Sequence, residues 1–65
     1  MNKQEFSEFV KNTRLHTGHT KIVFAHLIGC SRTTLWRWES GITMPRKDAV
    51  EYWLLTIQSV VPDGL

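Results

Sequence analysis

The chain has 65 residues, 42% of them hydrophobic, with 8 Lys and Arg against 6 Asp and Glu for a net charge of +2. That length allows one domain, 1–65, with a marginal core, and association with a second copy is the cheapest supplement to it. The single cysteine excludes an internal disulfide and fits a reducing compartment, while the richest apolar stretch, YWLLTIQSVV, is too short and too interrupted to span a bilayer.

Taken in chain order, MNKQEF leads straight into a charged, amphipathic segment with no apolar leader. Phe6, Phe9, Val10 and Thr13 recur at helical spacing and predict a first helix from about Lys3 to His16, closed by Gly18. Thr20 has the chemistry of an N-cap, its hydroxyl accepting from an amide one turn later. The second helix it opens runs to about Leu27 and presents Phe24, Ala25 and Ile28 inward. Gly29 permits the left-handed backbone that stops a helix sharply, and Ser31 caps the next helix two residues on.

That third helix, SRTTLWRWES, ends at Gly41. At about 100° per residue it gathers Leu35 and Trp38, with Ser31 and Thr34 beside them, on one face. Arg32, Thr33, Trp36, Arg37 and Ser40 fall on the other. As a strand, the same run would place Leu35, Arg37 and Glu39 on one side, a poor half-buried pattern. ITMP then forms a short loop whose Pro45 suits the start of a fourth helix, roughly Arg46 to Ser59. Val50, Trp53, Leu54 and Ile57 make its apolar stripe. Tyr52 and Leu55 lie outside that stripe, and the tail VVPDGL follows. This is more apolar surface than one small core covers, so a homodimer is expected, with Tyr52, Leu55, Ser59 and Val60 in its interface and a dimerisation segment over 46–65.

Charge is distributed unevenly. Between Val10 and Lys47 stand Lys11, Arg14, Lys21, Arg32, Arg37, Arg46 and Lys47 with Glu39 as the only acid, whereas elsewhere Lys3 faces Glu5, Glu8, Asp48, Glu51 and Asp63. One basic surface beside a mildly acidic flank suits a polyanion such as nucleic acid.

Two short helices joined by a glycine-centred turn, the second with an arginine-rich outer face, resemble the helix-turn-helix of the Cro/cI phage-repressor family, also called lambda-repressor-like. The residues carrying the resemblance are Thr20, Lys21, Ala25, Gly29, Cys30, Ser31, Leu35, Trp38, Glu39, Gly41 and Pro45, and it extends over most of residues 3–58 with the motif at 20–40. It implies an all-α domain of four or five helices. In that family the second motif helix enters the major groove while the first crosses the backbone. The residues it implies at base edges are Arg32, Thr33 and Arg37, with Trp36 on the same face. Arginine offers paired donors to guanine, and threonine or tryptophan meets a thymine methyl. Trp36 is either recognition surface or a cover over the arginine stems.

Thr20, Lys21, Ser31, Ser40, Arg46 and Lys47 are suited to phosphates, which set register without conveying sequence. Arg14 and Glu39 occupy positions that often form a structural ion pair in the family. Lys21 departs from the usual glutamine, and His19 stands where a leucine or isoleucine is usual, as a half-buried histidine.

The spacings of His16 with His19 and of His26 with Cys30 invite a metal, but Cys30 lies beyond the glycine that should end its helix and fits a small apolar slot. No cofactor, metal or small-molecule ligand is expected. No nucleophile has a base and an orienting acid at motif spacing, and no glycine-rich phosphate loop occurs, so no enzyme is expected. The sequence therefore reads as a cytoplasmic, nucleoid-associated regulator, a homodimeric repressor on a double-stranded DNA operator. The alternative is a protein-interaction module on the same scaffold, such as an antitoxin.

Overall fold

Each of the first three helices in the computed structural model, which describes residues 1–61, begins at a side chain that satisfies an otherwise unpaired amide. In α1, Lys3–Thr17, Asn2 Oδ1 accepts from the Glu5 amide at 2.8 Å while Glu5 Oε1 accepts from the Asn2 amide at 2.9 Å. This reciprocal pair is a capping box. The next helix, α2, spans Lys21–Ile28 behind Thr20, whose Oγ1 accepts from the Val23 amide at 3.3 Å. Ser31 Oγ does the same for the Thr34 amide at 3.0 Å and opens α3, Arg32–Glu39. Between them Gly29, at φ 86°, ends α2 in a single residue, a conformation that strains any side chain.

The fourth helix departs from the expectation of an α-helix starting at Arg46. Residues Lys47–Ala49 form a 3-10 turn, with the Ala49 amide donating to Arg46 O at 2.8 Å, and α4 is Val50–Gln58. Neither Arg46 nor Ala49 supplies a side-chain cap, and the start tightens into an i to i+3 bond instead. Of the tail assigned to the dimer contact, residues 62–65 lie outside the described residues.

The core gathers Phe6 and Val10 of α1, Phe24, Ala25 and Ile28 of α2, Leu35 and Trp38 of α3, and Ile57 of α4. Trp38 stands at the centre of an aromatic chain. Its ring lies edge-on to Phe6 at 5.3 Å and to Trp53 at 5.0 Å, and Trp53 meets Tyr52 at 5.2 Å. Such pairs contribute about 0.5–1.5 kcal/mol each beyond their burial, so the first two fasten α3 to α1 and to α4. With α1 and α2 both packed against α3, the latter keeps one face free. No helix among the described residues is long and apolar enough to cross a membrane.

Candidate nucleic-acid interface

Alternation within RTTLWRWE resolves into a helix with two faces. Trp38 is 5% exposed and Leu35 fully buried, whereas Trp36 is 49% exposed. Arg32, Thr33 and Arg37 are exposed with Trp36, so the four residues assigned to base edges share one unobstructed surface. Lys21, at the first position of α2, comes beside the start of α3. With Arg32, Thr33 and Trp36 it borders an open depression of about 280 Å³.

The residues assigned to phosphates, Thr20, Lys21, Ser31, Ser40, Arg46 and Lys47, are all exposed. The Thr20 and Ser31 hydroxyls already accept as helix caps, and Ser31 Oγ also donates to Thr34 Oγ1 at 2.8 Å. What the two caps leave for an anion is the amino end of each helix. Arg46 Nε lies 3.7 Å from Asp48 Oδ1, both side chains being largely solvated, an arrangement worth little.

Glu39, an acid in otherwise basic surroundings, is withdrawn from the outer face. Arg14 Nε donates to Glu39 Oε2 at 2.7 Å and Arg14 Nη2 to Oε1 at 3.0 Å, with the two side chains 12% and 4% exposed. Hydrogen bonding to the carboxylate raises the Arg14 pKa above its ordinary value, against a smaller lowering by burial. Arg14 Nη1 also donates to His19 O at 3.3 Å, and Ser7 Oγ donates to Glu39 O at 2.6 Å. One residue at the end of α3 is therefore held by its carbonyl and by its carboxylate, both from α1. Ser7 went unnoticed in the sequence. Its only signal is a place two helical turns before Arg14, on the same side of α1.

Elsewhere, Tyr52 and Leu55 are each 62% exposed on α4. Ser59 is exposed and donates to Thr56 O, but Val60 is half-buried and packs on the core of its own chain. Ile22, Val23 and Leu27 on α2 are exposed as well, a second apolar surface that sequence reasoning passed over. Cys30 is half-buried against the core, and burial pushes its thiol pKa up.

A family model described as a helix-turn-helix domain matches residues 5–54. No curated protein and no solved structure matches the chain.

Proposed function

The chain belongs to the helix-turn-helix domain family, and from that premise we propose a sequence-specific, double-stranded DNA-binding transcriptional regulator, a small homodimeric repressor acting on a pseudo-palindromic operator. One observation carries the reading. On α3 the outward side chains Arg32, Thr33, Trp36 and Arg37 are free of the core that holds Leu35 and Trp38, and the nearby acid is neutralised by Arg14. A convex, positively charged helix face of this kind matches the major groove in shape and in charge.

Arg37 and Arg32 read guanine edges, Thr33 and Trp36 meet apolar base edges, and Lys21, Lys47 and the capped amino ends of α2 and α3 engage phosphates. Tyr52 and Leu55 join two copies, with Ser59 at the margin. Two recognition helices then reach half-sites about 34 Å apart, or a multiple of that spacing. A repressor of this size acts by occupying its site against polymerase.

Selection of bound duplexes from a random pool, followed by titration across salt, tests the reading. A two-fold-symmetric site is expected, with affinity falling steeply as salt rises, by a log–log slope of about −0.9 per phosphate neutralised. Duplex RNA should not compete, because its deep major groove excludes a helix. No enrichment at low ionic strength would overturn the assignment. A protein-interaction role, such as that of an antitoxin, is favoured by one feature, the exposed Ile22, Val23 and Leu27 of α2; binding through that surface would be nearly indifferent to salt.

A further inference from the structure

We propose that the outer face of α2, formed by Ile22, Val23 and Leu27, is a contact surface for a second copy of this chain held on the neighbouring stretch of the same duplex, so that adjacent sites fill cooperatively; this rests on the DNA-binding role above. Phe24, Ala25 and Ile28 of α2 enter the core, whereas Ile22, Val23 and Leu27 are each about half exposed. At about 100° per residue, Ile22 and the exposed His26 form one row opposite the core and Val23 with Leu27 the next. A helix that is apolar on most sides is normally covered on most sides. The contact through Tyr52 and Leu55 does not cover it. Within the fold α2 packs on α3 and α4 packs on α1, so a dimer joined through α4 uses a different helix and leaves the α2 face open.

Charge and size select the occupant. Helix α2 contains no carboxylate, and its one lysine, Lys21, stands at the amino end, which the DNA-binding role turns toward phosphate. A strongly acidic or basic partner therefore finds no counter-charge between Ile22 and Leu27, while an identical face meets it without opposing ions. The face is also small. Three half-exposed aliphatic side chains bury far less than the roughly 800 Å² per partner of a specific, stable complex, so they do not retain a protein arriving from solution. A copy already seated on the next site needs no such area. The shared duplex supplies the effective concentration, and a small apolar contact then adds to two existing DNA contacts. Like faces meet about a two-fold axis, each Ile22, Val23 and Leu27 set packing on its equivalent.

The test uses duplexes carrying one selected operator, or two side by side with the gap widened a base pair at a time, footprinted with wild type, Leu27→Glu and Leu27→Ser. At the productive spacing, filling one site should tighten binding to the other about 10-fold, within the usual span of couplings between sites. Adding about 5 base pairs, half a helical turn, should abolish the effect by carrying the second copy to the opposite side of the duplex. Leu27 lies outside the core and at the end of α2 remote from Lys21. Both variants should therefore keep the melting temperature and single-site affinity of wild type while the coupling ratio falls to about one. Independent filling at every spacing, or a ratio unchanged in both variants, would overturn this proposal and leave DNA binding standing. So would a folded Leu27→Glu that loses its dimer and its single-site binding together, since α2 would then form the dimer contact itself. A protein that binds no duplex overturns both readings.

Discussion

Replacing Arg14 by alanine should cost about 3–5 kcal/mol of folding stability, because it strands the Glu39 carboxylate in a site where that side chain is only 4% exposed. The pair is bidentate, at 2.7 and 3.0 Å, and the same guanidinium donates to His19 O. At about 0.05–0.15 kcal/mol per residue, a chain of this length has roughly 3–10 kcal/mol in all, so the variant should stand at the edge of unfolding. Urea titration followed by far-ultraviolet circular dichroism and tryptophan fluorescence measures the loss. The double replacement Arg14→Met with Glu39→Leu should recover most of it, since no charge is then stranded. The Ser7 bond survives that change because its acceptor is the main-chain carbonyl of Glu39. Arginine's contribution is fully present below its ordinary pKa and is lost only as pH rises through the raised value, beyond the range of the assay. A loss under about 1 kcal/mol for Arg14→Ala would mark a solvated pair and refute the reasoning. So would a double variant no more stable than the single.

Arg37→Ala should weaken operator binding by about 1–3 kcal/mol and relax base preference at one position per half-site; unchanged preference in a repeated selection would remove its base contact. Lys21→Ala should weaken all duplexes alike and reduce the salt slope by about 1. Leu55→Glu should raise the dimer dissociation constant on the order of 10- to 100-fold, the worth of one buried leucine, with monomer stability shifted by less than about 0.5 kcal/mol; sedimentation showing the same monomer fraction in both proteins would place the interface elsewhere. Burial raises the Cys30 thiol pKa, so its contribution is complete below the ordinary thiol value and disappears as pH rises through the raised one. Alkaline titration should therefore destabilise wild type more steeply than Cys30→Ala, and parallel urea midpoints would contradict this.

Helix boundaries were legible where a residue type carries its own local mechanism. Thr20 and Ser31 cap within three residues, and Gly29 adopts the backbone that only glycine holds without strain. The start of α4 was not legible, since Pro45 announces a helix without deciding whether its first turn is α or 3-10. Asn2 and Glu5 carry a capping-box spacing that was open to reading and was missed. Ser7 was beyond such reading, because its acceptor lies 32 residues away and exists only once α1 meets α3. The hydrophobic stripes located Phe6, Val10, Phe24, Leu35 and Ile57 in the core. They said nothing of Ile22, Val23 and Leu27, because α2 is apolar on most sides and periodicity alone does not tell its covered face from its open one.

Helix α3 has only 8 residues, about 12 Å of length, and paired hydrogen bonds to a base tolerate displacements of only about 0.5 Å. Core packing through Leu35 and Trp38 fixes the depth of this helix. Polar contacts then act at its two ends. At the amino end, Ser31 caps the first turn and the Cys30 amide donates back to Ala25 O at 3.0 Å. At the carboxyl end, Ser7 and Arg14 both hold Glu39. These bonds use α1 and α2 and take nothing from the outer face, where the side chains of Arg32, Thr33, Trp36 and Arg37 are exposed. A charged pair buried for stability alone gains little over apolar residues of equal volume. Arg14 and Glu39 add what apolar residues lack, a directional link between α1 and the carboxyl end of α3.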